Sequence, residues 1–199
     1  MIKASIPPEP QNIPEPMSDS TESPPPAGMA SFRSRVIGTW GLVSYVAISL
    51  ENPEDIVYPM GKECKGQIMY SKDGYMAALL QEADLKSFDH DWKEGTTLEL
   101  ANAAKKTIAY CGPFYLDEED GKPQKIVHHA QISVQPNWIN TLQIRCADLF
   151  EEDGQDYIML GPESPTEWQG VKRLLRLKWR KLTQNDAAQP PADAKELKI

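Results

Sequence analysis

Between Val36 and Leu182 the chain runs through one strand-like stretch after another, each set off by a cluster of Gly, Pro, Asp or Asn. This succession bounds the fold. Strands that follow one another through short turns, without a helix between each pair, pair antiparallel with their neighbours. The strongest junction is Lys72-Asp73-Gly74 between the runs 66–71 and 75–80, where glycine supplies the positive φ of a tight reversal. The runs 36–48, 66–71, 75–80, 113–116, 124–134, 140–150, 157–160 and 171–182 make eight strands, with 57–61 a short extended piece beside them. Eight antiparallel strands remove their exposed edges by closing. The predicted fold is therefore all-β with one short inserted helix: an eight-stranded antiparallel up-and-down barrel whose interior takes side chains or one small ligand.

The inserted helix is signalled by Thr96-Thr97-Leu98-Glu99, a capping-box pattern, followed by Leu100, Ala103, Ala104, Thr107 and Ile108 at helical spacing. It is expected over 97–107, and the charged, aperiodic stretch 81–93 before it reads as a loop. On the first strand Trp40, Leu42, Val46 and Ile48 share one face, the inward one if the strand closes a barrel.

Outside the barrel the composition changes. Residues 1–31 hold eight of the seventeen prolines and almost nothing apolar, so they are expected to stay unstructured, as is the tail 183–199; the folded domain is 32–182. No apolar run has the length of a signal-peptide core or of a membrane span, which predicts a soluble, cytoplasmic chain. Three cysteines, Cys64, Cys111 and Cys146, with no Cys-x-x-Cys pair, fit free thiols in a reducing compartment. The net charge of -8 argues against a nucleic-acid partner. The one basic stretch, 172–181, alternates with leucines and reads as the solvated face of a strand. Nothing in the sequence sets the oligomeric state.

Several motifs in order carry a family resemblance. They are Gly38-Thr39-Trp40, Tyr58-Pro59-x-Gly61, Gly66-x-Ile68-x-Tyr70-x-x-Asp73-Gly74-Tyr75-Met76, Ala109-Tyr110-Cys111-Gly112, Val127-His128-His129 and Pro136-Asn137-Trp138-x-x-Thr141-x-Gln143-x-Arg145. Together they resemble the lipocalin-like domain family of microbial and fungal proteins, over about 36–182. The resemblance implies a small up-and-down β-barrel, and Gly38-Thr39-Trp40 is similar to the first-strand motif of true lipocalins, whose tryptophan plugs the closed end. The chain differs from those proteins in having no secretion signal, no evident disulfide, and a helix before the fourth strand. These differences point away from extracellular transport. The family has no single activity, so the resemblance implies a fold more than a function.

The polar and aromatic residues of 108–145 are the candidate site. Neighbouring strand residues face opposite ways, so His128 and His129 cannot both enter one cavity. His128 shares a face with Ile126, Ala130, Ile132 and Val134, and His129 with Val127, Gln131 and Ser133. An apolar lumen favours His128 and a hydrogen-bonding lumen favours His129; either is a candidate for proton transfer, an imidazole titrating near about 6.5, or equally a histidine satisfied by a backbone carbonyl or a neighbouring tyrosine. The same parity speaks against a metal site, and His90 lies in a loop between two acids. Haem on one histidine has no second feature behind it, and no cofactor is expected. Tyr110 is a catalytic candidate with the histidines. Tyr70 and Tyr75 are either packed rings with a wet hydroxyl or ligand contacts. Cys111 reads as a buried, inert thiol. Arg145 lies with Thr141, Gln143 and Ala147, opposite Leu142, Ile144 and Cys146; it is either an exterior or barrel-end arginine packed on Trp40 or Trp138 or, the favoured reading, an anchor for an anion or carbonyl that matches the polar face containing His129. Asn137 and Trp138 are placed at the rim and Trp40 in the lumen, all three as ligand contacts.

Two functions fit. One is a binding protein that holds a small hydrophobic or amphipathic molecule in its lumen. The other is a cofactor-independent isomerase, cyclase or dehydratase acting on a polyketide- or terpenoid-like substrate, with His128 or His129 moving a proton while Tyr110 and Arg145 stabilise charge on oxygen.

Overall fold

The computed structural model describes residues 31–117 and 122–194. The unstructured segment expected over 1–31 lies outside the described residues up to Ala30, as do turn residues 118–121 and the last five residues of the tail. Residues 183–194 carry neither helix nor strand.

A short helix, α1 (Phe32–Val36), precedes β1 (Gly38–Ser49), β2 (Ile56–Val57), β3 (Lys65–Tyr70) and β4 (Tyr75–Gln81). Helix α2 (Thr97–Lys105) leads into β5 (Thr107–Asp117), β6 (Lys125–Ala130) and β7 (Ile132–Ser133). The chain ends in β8 (Thr141–Glu152), β9 (Gln155–Gly161), β10 (Thr166–Trp168) and β11 (Val171–Lys181). The eight long strands form one antiparallel closed barrel, in the order β11-β9-β8-β6-β5-β4-β3-β1, and the short β2, β7 and β10 are appended to it. Closure is made by β1 against β11, from Trp40 opposite Lys181 to Ser49 opposite Arg173. The expected barrel and its eight strands are what the chain forms.

Four local features depart from the alternation read in the sequence. A bulge lies between Leu42 and Ser44, leaving Val43 exposed and moving the inward set from Trp40 and Leu42 to Tyr45, Ala47 and Ser49. Val46 and Ile48, expected inward, therefore fall on the outer face. Helix α2 stops at Lys105, two residues early, because Thr107 already pairs with Gln81. Tyr110 and Cys111 are thus mid-strand rather than at a helix end. Strand β6 ends at Ala130, where the N–H of Gln131 donates to the carbonyl of His129 at 2.9 Å; this tight turn reverses the facing, and Ile132 is 70% exposed rather than inward with His128. Finally, Arg173 belongs to the interior and not to a solvated basic face: it is buried and donates to the backbone carbonyl and the carboxylate of Asp55 at 2.9 and 2.8 Å.

Helix α1 closes one end of the barrel. Ser31 caps it, its hydroxyl accepting from the N–H of Ser34, and Phe32 and Val36, four residues apart on one face, are buried with Trp40, Phe114, Ile126, Ile158 and Trp179. The indole of Trp40 donates to the carbonyl of Val36 at 2.9 Å, which joins the helix to β1. Lys181 stands over the Trp40 ring at 5.2 Å and donates to the carbonyl of Arg35. Among the described residues no helix is long and apolar enough to cross a membrane.

The turn after β6 depends on Gly112. A Cβ there would sit 2.0 Å from the carbonyl oxygen of His129, a backbone atom with no room to yield. Gly112→Ala is expected to lower stability by on the order of 3 kcal/mol through forced separation of β5 and β6. Thermal unfolding by circular dichroism checks this, and an unchanged melting temperature would show that the crossing is not tight.

Candidate functional site

Three strands carry the chemistry. Tyr70 ends β3, Tyr110 lies in the middle of β5, and His128 lies in β6 opposite Phe114 and Gln143. All three point inward. The Tyr70 hydroxyl is 2.9 Å from His128 Nε2 and the Tyr110 hydroxyl 2.9 Å from Nδ1, so both ring nitrogens are used. His128 is 0% exposed. Burial and, after it, the positive charge of Arg145 push its imidazole down to about 3, so it is neutral at physiological pH. Burial raises both tyrosines, Tyr70 well above the ordinary phenol value; for Tyr110 the charge and N–H groups of Arg145 work against the increase.

The barrel interior divides at this row. On the α1 side it is packed with aromatic and branched side chains. On the other side a cavity of about 270 Å³ opens, lined by Tyr45, Tyr110, Trp138, Gln143, Arg145 and Leu177 among others. Trp138 meets the Tyr110 ring edge-on, centroids 5.5 Å apart. One wall is polar: Arg145 donates to Gln143 Oε1 at 3.1 Å and to the carbonyl of Ile144, leaving further guanidinium N–H groups for a ligand. Leu175 and Leu177 supply apolar lining.

The expected site residues separate into those this geometry gathers and those it does not. Tyr110, Arg145 and Trp138 line the cavity, with Tyr70 and His128 behind Tyr110. The polar face of β8 matches His128 and not His129, because Ile126, His128 and Ala130 pair with Arg145, Gln143 and Thr141. His129 opposes Leu142 on the outside and its Nε2 bonds Asn140 Oδ1 at 2.7 Å. Tyr75 is 58% exposed and Asn137 is exposed. Both side chains sit where the barrel needs no filling, at the turn after Gly74 and on a short helical turn at 136–138. Trp40 is at the packed end, away from the cavity. Cys111 is half-buried on the outer face instead of fully buried, and all three cysteines are free. His90 stands beside Glu99, 3.9 Å away, in the segment between β4 and α2, and is not part of the cavity lining. Among the described residues no group of three or more His, Cys, Asp or Glu gathers as metal ligands.

Sequence reasoning missed Tyr45 as a lining residue, because the bulge at Val43 leaves no trace in a stretch apolar on both faces. Leu175 and Leu177 carried a usable signal in their alternation with the basic residues Arg176 and Lys178. A larger depression of about 370 Å³ lies on the outer surface of β3, β4, β5 and β7, lined by Met69, Ala77, Leu79, Cys111, Ile132 and Val134, with no charged side chain in it.

Residues 37–182 match the family described as the lipocalin-like domain. The chain is also 30% identical, over 95 residues, to the 4'-hydroxy-3'-methoxypropiophenone carrier protein of Aspergillus oryzae; the match covers 46% of this chain and 82% of that protein.

A neutral, buried histidine has a signature in stability. The unfolded chain takes up a proton near about 6.5, whereas the folded chain does so only near about 3. Between these values the unfolded state binds more protons, so stability is full above the upper one and falls as pH drops toward the lower. His128→Gln is expected to flatten the dependence of unfolding free energy on pH by up to about 1.4 kcal/mol per pH unit in that window. Denaturant titrations at several pH values check this; parallel wild-type and variant profiles would place a charged histidine in the folded barrel.

Proposed function

Because the chain belongs to the lipocalin-like domain family, we propose that it is a small-molecule carrier that holds an aromatic, oxygen-bearing ligand of natural-product type in the mouth of its barrel. The observation that carries this reading is the composition of one cavity: apolar lining and the Trp138 ring, with Tyr110, Gln143 and Arg145 supplying polar groups. Such a lining takes up a ring by burial and orients it through oxygen. The similar carrier from Aspergillus oryzae is named for a ligand with a substituted ring and a ketone, which has that chemistry. Three free thiols support a reducing, cytoplasmic setting.

A second reading, a cofactor-independent isomerase, cyclase or dehydratase, draws on the same cluster of Tyr110, His128 and Arg145. What weighs against it is the state of the histidine. General acid–base work asks for a group that titrates near the working pH and reaches the substrate. His128 is neutral, sealed behind Tyr110, and not part of the cavity wall. Tyr110 and Arg145 are therefore read as ligand anchors, with His128 and Tyr70 positioning Tyr110.

The test is a titration with 4'-hydroxy-3'-methoxypropiophenone followed by tryptophan emission, since Trp138 lines the cavity. Saturable quenching is expected. Leu177→Trp, which fills the cavity, should abolish it while the far-ultraviolet dichroism of the barrel persists. Arg145→Ala should weaken binding by about tenfold, the value of one charge-assisted hydrogen bond. Binding unaffected by both changes would remove the lumen as the site.

A further inference from the structure

The Tyr70–His128–Tyr110 row has a direction, and it ends in the cavity. Tyr70 is buried among Phe114 and the closed-end core, and His128 Nε2 is the hydrogen-bond partner of its hydroxyl among the described residues. A buried O–H whose hydrogen finds no acceptor is costly, whereas an oxygen with a spare lone pair is tolerated far better. Tyr70 therefore donates to Nε2. A neutral imidazole carries one N–H, so Nδ1 holds it and donates to the oxygen of Tyr110 at 2.9 Å. The guanidinium of Arg145, on the same wall, directs only further donors at that oxygen. The hydrogen of Tyr110 is left without an acceptor in the described protein, on a side chain that lines the cavity.

From this we propose that Tyr110 presents its hydroxyl hydrogen to the lumen and selects ligands that set a bare acceptor oxygen, a ketone, enolate or phenolate, against it. The inference rests on the lumen being the ligand site and adds to it the chemistry of the ligand atom. Hydrogen bonds running in one direction polarise each other, so the terminal O–H is a stronger donor than an isolated phenol. With His128 Nδ1–H on one lone pair of the Tyr110 oxygen and an Arg145 N–H directed at the other, a ligand that offered a hydrogen to Tyr110 would have to reverse the row. Tyr110 would then donate to Nδ1, Nε2–H to Tyr70, and the Tyr70 hydrogen would be stranded in the packed end. An alcohol that accepts from Tyr110 brings a hydrogen of its own, which must compete with Arg145 for Gln143 Oε1 or turn to a more distant hydroxyl of the lining, a demand the ketone does not make. Tyr70, which is not part of the cavity lining, is thus a positioning residue for ligand selection.

Two measurements on the full chain test this. Long-range proton–nitrogen correlation on nitrogen-labelled protein reads the His128 tautomer without any ligand, and the expected result at neutral pH is hydrogen on Nδ1; hydrogen on Nε2, or a doubly protonated ring, overturns the proposal. Calorimetric titration then compares acetonaphthone, the corresponding naphthyl alcohol and ethylnaphthalene, which differ only at the oxygen. The ketone is expected to bind about five- to tenfold tighter than the hydrocarbon, and Tyr110→Phe to bring the two affinities within about twofold of each other. Tyr70→Phe, by releasing the tautomer, should narrow the preference for ketone over alcohol, which loss of packing alone would not do. Equal binding of ketone and hydrocarbon by the wild type overturns the donor assignment while leaving the lumen a binding site. No binding of any of the three overturns the lumen reading and the assignment with it.

Discussion

Three polar side chains in the middle of a barrel interior must be satisfied by one another, because buried donors and acceptors lose their bonds to water. Two hydrogen bonds across three strands meet that demand for Tyr70 and His128, and leave only the Tyr110 hydrogen, at the cavity, to be taken up. The demand is geometric as well as energetic. A slip of one residue in β3, β5 or β6 would turn its member of the row outward and break the chain of bonds. The polar row therefore pins the registers of the strands that carry it, and the register of β6 in turn sets Gln143 and Arg145 on the cavity side of β8. A purely apolar interior would check register through burial alone, without the directional hydrogen bonds that this row adds.

The same row separates a packed half from an open half. Towards α1, the rings of Trp40 and Trp179 with Phe32, Phe114 and the branched residues fill the interior, and the helix is fastened there by the Trp40 indole. Towards the other end, the lining from Tyr45, Tyr110, Leu175 and Leu177 leaves the cavity. A barrel of this strand number has room for little more than its own side chains, so a cavity exists only where the interior is underfilled. Arg145 is tolerated in that half because its N–H groups are partly bonded to Gln143 and Ile144 and partly open to whatever enters.

Much of the barrel is legible in the sequence. Turn signals such as Asp73-Gly74 and the capping box at Thr96 report local chemistry, and strands and helix follow from them. The direction of Arg145 is not readable from β8 alone, since its apolar neighbours Leu142 and Ile144, which alternation would turn inward, are exposed and the polar face lines the barrel beside His128. What alternation cannot reveal are the places where it breaks. The bulge at Val43 and the turn at Gln131 each insert one residue of phase, and both occur where either face could be apolar. The first hides Tyr45, and the second puts Ile132 and Val134 with His128 when they belong outside. The choice between His128 and His129 stays open in the sequence for a related reason: it depends on which partner strand is polar inside, a long-range fact carried by β8. Helix α1 escapes notice although Ser31 and the Phe32–Val36 spacing announce it, because five residues are too few to stand out beside a Pro-rich segment.

The proposed carrier function rests on a ligand occupying the lumen between Trp138, Tyr110 and Arg145, and the most direct measurement is a crystal structure of the full chain grown with an aromatic ketone. The predicted result is a ring against Trp138 with its oxygen within hydrogen-bonding distance of the Tyr110 hydroxyl. A ketone seated instead in the outer depression between Met69, Leu79 and Ile132, with the lumen unchanged, would contradict it.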